Sequence, residues 1–349
     1  MEERYKHLNN YLKEKFGERT LKICIDGNFT CPNRDGKLSL GGCIFCSEKG
    51  SGEHIKSNKN SSNNFDFITD QVKNYFNSYK SKRANKFIAY FQNFTNTYGP
   101  IDILKKKYDS ALIDDRIVAL AISTRPDCIN EDICKLLKSY QNKYYVWVEL
   151  GLQTSNDITS KLINKCCYSK DFTYAVNLLN KYNIDIVTHI MVCLPNENFN
   201  DIKNTVEFIN KHFIQGLKIH STYIVKNTIL ADMYSKGLYI PLTLEEYLNY
   251  TCYILTHISP NIVIHKVSGD APKDLLVAPD WNLHKKWILN GLDKKLKAEN
   301  LWQGKYYSTW KSNTHSLESL SWKCHHSLLS VENPCFVIIF ARIFAFSLL

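Results

Sequence analysis

A chain of 349 residues, 44% apolar and 22% charged, is globular rather than disordered and has room for one large α/β barrel or two smaller domains. Its net charge of +10 admits an anionic partner, RNA included, but no aromatic–basic RNA-recognition signature accompanies it, and lysine-rich solvated helix faces such as residues 105–107 are the simpler account of it. The first six residues are charged where an export signal is apolar, and no run before the last few dozen residues is apolar enough to span a bilayer; a cytoplasmic protein with no stable membrane span is expected.

In chain order, short β-branched runs predict strands over 21–25, 87–91, 118–123, 145–150, 184–192 and 217–225. Between them, apolar residues at i, i+3, i+4 spacing predict amphipathic helices, 131–140, 171–182 and 201–212 among them. Repeated strand–helix units imply parallel strands, because each crossover returns the chain to the same sheet edge. Six units make a partial (β/α)6 TIM-like barrel, an α/β fold whose ligands gather at the C-terminal strand ends. Residues 1–237 are assigned to it. After Gly237 the pattern becomes helix over 244–257, strand over 262–266 and helix over 283–297, so residues 238–307 are read as a C-terminal α/β extension packed on the barrel. Residues 308–349 differ again: Ser-rich, then an apolar run over 335–346 broken by Arg342, short of the roughly 20 residues a spanning helix needs. That tail reads as an element completing the core, a membrane-contacting end, or non-native sequence.

Twelve cysteines in a chain without an export signal point to metal rather than disulfides. One group is clustered: Cys31, Cys43 and Cys46, a C-x11-C-x2-C pattern just after the first predicted strand. Cys-x2-Cys brings two thiolates to one centre across a single turn, and Gly36, Gly41 and Gly42 let backbone N–H groups approach sulfur. Three thiolates leave one iron of a [4Fe–4S] cluster open, and an open position chelates the amino and carboxylate groups of S-adenosylmethionine (SAM). Adding Cys24 gives a four-thiolate set suited to zinc. Against that, Cys24 lies in the strand-like Lys22-Ile23-Cys24-Ile25-Asp26, where it reads as a small buried hydrophobe. Three unconnected cysteines are the third reading.

The stretch Phe29-Thr30-Cys31-Pro32-Asn33-Arg34-Asp35-Gly36 with Gly42-Cys43-Ile44-Phe45-Cys46-Ser47 closely resembles the YhcC-type radical SAM proteins. So do Tyr90-Phe91-Gln92-Asn93-Phe94-Thr95-Asn96-Thr97-Tyr98, Ser123-Thr124-Arg125-Pro126-Asp127, Val148-Glu149-Leu150-Gly151-Leu152-Gln153-Thr154, Gly269-Asp270-Ala271-Pro272 and Gln303-Gly304-Lys305-Tyr306-Tyr307. The likeness runs in order from about Tyr5 to Tyr307. More distantly, the barrel looks like those of oxygen-independent coproporphyrinogen dehydrogenase and the Elongator catalytic subunit. The resemblance implies a [4Fe–4S] cluster, SAM, an electron donor such as flavodoxin or ferredoxin, and a 5′-deoxyadenosyl radical that abstracts hydrogen from a substrate.

It also implies roles. Gln153 would hydrogen-bond SAM, the alternative being a polar loop residue. Lys165 would stand near the SAM carboxylate or on the surface. Glu149, a charge in an apolar strand, would sit near the sulfonium or pair with Arg125. Gln92, Asn93 and Asn96 form the loop expected to bind the methionyl amino group, and Ser123 and Arg125 would reach ribose or substrate. His189 and His220 are core histidines, or converge with Asp270 on one cavity. Two departures stand out: Cys166-Cys167 where the family has Gly-His, and Cys193 where it has Gly before Leu-Pro. Three functions stay open: a radical SAM enzyme acting on a small metabolite, one acting on RNA, and a zinc- or cluster-bound protein without turnover.

Overall fold

The computed structural model describes residues 3–50 and 64–307. Helix α1 (Leu8–Phe16) precedes strand β1 (Thr20–Ile25). Then follow α2 (Asn64–Asn77), β2 (Lys86–Phe91), α3 (Ile101–Asp109), β3 (Ile117–Thr124), α4 (Glu131–Tyr140), β4 (Tyr145–Gln153), α5 (Asp157–Leu162), α6 (Ser169–Lys181), β5 (Asp185–Val192), α7 (Phe199–Asn210) and β6 (Gly216–Ser221). The chain continues through β7 (Ile224–Val225), α8 (Ile229–Ser235), α9 (Leu244–His257), β8 (Val263–Lys266), β9 (Leu276–Ala278) and α10 (Lys285–Ala298). Strands β1 to β6 and then β8 pair in parallel, in that order, as one sheet curled into a half-barrel, and β7 pairs antiparallel with β9. The described residues belong to one compact unit, and none of its helices is long and apolar enough to cross a membrane.

Strand periodicity sorts side chains to two faces. In β2, Phe87, Ala89 and Phe91 point outward into a core shared with Leu104 and Tyr108 of α3 and Ile133 and Leu137 of α4. Each such side chain contributes roughly 1.5–3 kcal/mol by leaving water. Ile88 and Tyr90 point inward, where Leu12 of α1 packs with Ile88, Ala119, Trp147 and Val187. Helix α1 therefore plugs the lower end of the half-barrel. Its last turn is held by Lys86 Nζ, which donates to the Phe16 carbonyl at 2.7 Å. This helix is absent from the expected elements because its sequence is polar; tertiary packing of Leu8, Leu12 and Phe16 stabilises it, not propensity.

Two expected elements differ from what forms. The strand expected over 262–266 does not stay within a separate extension: β8 pairs with β6, Gly216 opposite Val263, and becomes a seventh parallel strand. The strand expected over 217–225 ends at Ser221, and Ile224 and Val225 leave the sheet to pair with β9. Cys24 also differs. Ile23 and Ile25 take the buried outer face, so the alternation turns Lys22 and Cys24 inward, and Cys24 is an exposed residue lining the cavity rather than a buried hydrophobe. Near the end of the described chain, Gln303 Nε2 donates to the Ser259 and Ile262 carbonyls at 2.9 and 2.8 Å while its Oε1 accepts from the Lys6 amide at 2.9 Å. The Ile264 amide donates to the Lys6 carbonyl at 2.8 Å, so the N-terminal segment lies along β8. The tail expected to be atypical, 308–349, lies outside the described residues.

Both family departures fall where the backbone is left-handed: Cys166 has φ +52° and Cys193 φ +59°. A Cβ there meets a carbonyl and costs roughly 1–2 kcal/mol, which is a physical reason for the glycines that the resemblance leads one to expect at both positions. Cys166→Gly is expected to raise the thermal unfolding midpoint by a relief of about 1 kcal/mol, and the β-branched Cys166→Val to lower it. Calorimetry of the cluster-free protein checks both; a Gly variant less stable than the Val variant would contradict the assignment.

Candidate active site

The loop after β1 carries Cys31, Cys43 and Cys46, and all three line one cavity of about 520 Å³ at the C-terminal ends of the strands. Two turns bring the thiols round: the Arg34 amide donates to the Cys31 carbonyl at 2.8 Å, and the Cys46 amide to the Cys43 carbonyl at 2.9 Å. Asn33 Nδ2 lies 3.7 Å from Cys43 Sγ. Arg34 Nη2 donates to the Cys46 carbonyl at 2.9 Å. Gly42 has φ +83°, and a Cβ on it would fall 2.7 Å from Arg34 Nε, so the guanidinium lies where only glycine lets it. Asn164 anchors the loop from below, its Nδ2 donating to the Gly42 carbonyl at 2.9 Å. Burial pushes the Cys43 thiol up to about 12, Cys46 and Cys31 adding to the rise while Arg125 and Lys165 oppose it. Among the described residues no three His, Cys, Asp or Glu side chains converge as ligands of one ion.

Deeper in the barrel, the Glu149 carboxylate of β4 is fully enclosed by donors. Lys22 Nζ of β1 lies at 3.4 Å, Tyr90 OH of β2 at 2.7 Å, Ser123 Oγ of β3 at 3.3 Å, Trp147 Nε1 of β4 at 3.2 Å and His189 Nε2 of β5 at 2.8 Å. Lys218 Nζ of β6 completes the set and also donates to Tyr90 OH at 3.0 Å. One donor thus comes from each of the first six strands. Burial alone would raise the Glu149 carboxyl; Lys218, Lys22 and His189 hold it well below the usual range, so it is ionised. Burial and the Lys218 charge pull His189 down to about 4, so its ring is neutral and donates.

The cavity gathers most of the residues anticipated from sequence: Gln92, Ser123, Arg125, Glu149, Gln153, Lys165, His189, His220 and Asp270 all line it. Asn93 and Asn96 it does not bring to its wall; both are buried behind it, and Asn96 Nδ2 donates to the Ser123 carbonyl at 2.7 Å, tying the loop after β2 to β3. Arg125 does not pair with Glu149. Its fork meets Asp127 at 2.9 Å, a neighbour two residues on, and Nη1 donates to the Lys165 carbonyl at 2.8 Å. Lys165 is buried, not on the surface, its Nζ donating to the Leu152 carbonyl at 2.8 Å, and burial lowers its pKa. Gln153 ends β4 in a left-handed conformation, φ +57°, at a register shift between Gly151 and Gln153. Sequence reading missed Lys22, Lys218 and His265. Lys22 and Lys218 carry the signal that marked Glu149, a charge inside an apolar strand.

Removing Glu149 strands two ammonium groups. Glu149→Leu is expected to destabilise by about 3–5 kcal/mol, and Lys218→Met added to it to recover most of the loss. A carboxyl held below its unfolded value near 4.5 contributes stability above that pH and loses it as pH falls through the folded value, so wild-type stability should decline below pH 4.5 more steeply than that of the double variant. Urea unfolding across pH measures all three.

The model of the radical SAM superfamily matches residues 31–209, and that of the radical SAM C-terminal domain matches 214–298. The uncharacterized protein YtqA of Bacillus subtilis (strain 168) is 36% identical over 307 residues, covering 88% of this chain and 94% of that one. Protein YhcC of Escherichia coli (strain K12) is 31% identical over 275 residues, covering 77% and 85%. Among solved structures, the archaeal Methanocaldococcus infernus Elp3 with an N-terminal deletion superposes with a TM-score of 0.59 at 16% identity, covering 81% of this chain and 64% of that one, a likeness of fold. The chain belongs to the radical SAM superfamily, and it is a radical SAM enzyme that works with a [4Fe–4S] cluster and S-adenosylmethionine.

Proposed function

We propose that Cys31, Cys43 and Cys46 hold the cluster, that Cys24 takes no part in it, and that the enzyme acts on a small metabolite rather than on RNA. The observation that carries the assignment is that one loop sets these three thiols along the wall of one cavity, with Cys43 electrostatically coupled to the other two. Cys24, by contrast, feels Lys22, Lys218 and Glu149 on the barrel floor. When bound, cluster and SAM together supply a 5′-deoxyadenosyl radical for hydrogen abstraction.

The chain's own residues prepare the chamber. Arg34, Asn33 and Asn164 fix the cysteine loop, and Arg125 clamps the 165–166 segment beside it. Gln92, Ser123, Gln153 and Lys165, on the upper wall, are proposed to bind SAM, with Arg125 supporting Lys165. Asn93 and Asn96 hold the loop after β2 from behind. Glu149 and His189 set the floor, where the sealed carboxylate orients Lys218 and the neutral ring. A floor plugged by α1 and a volume of about 520 Å³ suit a small molecule beside SAM. The reductant that such enzymes need is proposed to be a flavodoxin or ferredoxin, and the setting the cytoplasm.

Anaerobic reconstitution with iron and sulfide, then reduction with SAM, tests the ligand set. Wild type and Cys24→Ala are expected to form the cluster's visible absorption and release 5′-deoxyadenosine. Cys31→Ala, Cys43→Ala and Cys46→Ala are each expected to lose both. Zinc uptake abolished by Cys24→Ala, or a cluster that persists without Cys43, would overturn the assignment.

A further inference from the structure

Seven basic side chains line the cavity, Lys22, Arg34, Arg125, Lys165, Lys218, Lys266 and Lys285, against two acidic ones, Glu149 and Asp270. The three nearest the cysteine loop are engaged locally: Arg34 with the Cys46 carbonyl, Arg125 with Asp127 and Lys165 with the Leu152 carbonyl. The four lysines that remain form two triads, each with two ammonium groups on one carboxylate. Lys22 and Lys218 share Glu149; Lys266 at 2.6 Å and Lys285 at 3.7 Å share Asp270. The Asp270 triad keeps one positive charge over; in the Glu149 triad burial pulls Lys218 down to about 7, so that surplus is complete only below that pH. The histidines beside them do not change the balance, since burial keeps His220 and His265 far below their ordinary pKa and hence neutral.

We infer that this part of the cavity binds the substrate through an anionic group, a carboxylate or a phosphate, held by Lys22, Lys266 and Lys285. The inference rests on reading the cavity as the reaction chamber. Three observations support it. First, a cation of each triad is more open than its carboxylate: Lys22 keeps 21% exposure beside a fully enclosed Glu149, and Lys285 keeps 55% beside 46% for Asp270. Second, Lys22 and Lys266 stand on β1 and β8, the two edge strands, and lie close enough for the Lys22 charge to lower Lys266. A surplus of like charge in a half-enclosed site is costly until an anion enters. Third, His220 Nε2 and His265 Nδ1 are buried with no hydrogen-bond partner, polar atoms of the kind a ligand satisfies. Gly216 makes room for the second ring, for a Cβ there would fall 2.8 Å from His265 Nε2. SAM adds to the demand for an anion, because its sulfonium and ammonium outnumber its carboxylate.

The test is calorimetric titration of the full-length, cluster-reconstituted protein saturated with SAM, which fills its own carboxylate site. The probes are succinate, inorganic phosphate and neutral succinamide. Saturable binding of succinate or phosphate, with none of succinamide, is expected, and the anion that binds tells carboxylate from phosphate. Lys266→Gln is expected to weaken binding at least tenfold. So is Lys285→Gln, a change at a half-exposed side chain that leaves the fold intact. Lys105→Gln on the outer surface is expected to have no effect. Equal binding of succinamide, indifference to both cavity variants, or binding of neither anion overturns the inference. The two readings fail separately: a cluster that persists in Cys43→Ala while the anion still binds through Lys266 and Lys285 would sink the ligand assignment alone.

Discussion

The carboxylate of Glu149 is the constraint on which the rest of the barrel depends. An ionised group in a protein interior is tolerated only when its lone pairs are filled and its charge is balanced. Here the donors come from six successive strands, so the demand of one side chain fixes the register of all six at once. A slip by one residue in any of them would turn its donor to the outer face and put an apolar residue in its place. Hydrophobic burial drives the sheet together, but it is indifferent to many small errors that this polar centre rejects. The specificity so gained serves the site, because the same register sets where each strand ends and which loop follows it.

How much of this was legible in the sequence depended on how local the information was. Buried parallel strands announce themselves as β-branched runs, and helices with good caps, such as α4 behind Asn130 and α9 behind Thr243 and Glu246, are bounded where the sequence places them. The cysteine group was legible because its spacing lies within one loop. Partnerships across strands were not. Glu149 was conspicuous as a charge in an apolar run, yet nothing along the chain says that Lys22 and Lys218 meet it while Arg125 turns to Asp127. Cys24 illustrates the same limit: its neighbours are apolar, but strand alternation gives them to the other face. The seventh strand was visible as a strand and assigned to the extension, because pairing with β6 is decided by tertiary contact.

The cysteine loop and the polar floor divide the labour of the cavity. Above, loop carbonyls and the Asp127 carboxylate hold Arg34, Arg125 and Lys165 in place beside the three thiols. Below, two carboxylates hold four lysines in fixed positions. On the assignments proposed above, metal chemistry and substrate recognition fall on different walls, and changes to the lower wall need not disturb the upper one.

Gln303 joins the first residues of the described chain to β8, with Lys6 on one side of its amide and Ser259 and Ile262 on the other. The last strand of the sheet is therefore closed by a segment that left the ribosome 257 residues before it, His7 lying opposite Ile264. Loop-closure entropy makes such distant pairings late events in folding. Until they form, the edge of β6 and the lysines meant for the cavity stay open to solvent and to other chains. A nascent chain of this protein thus carries an unfinished sheet until β8 and Gln303 have both emerged.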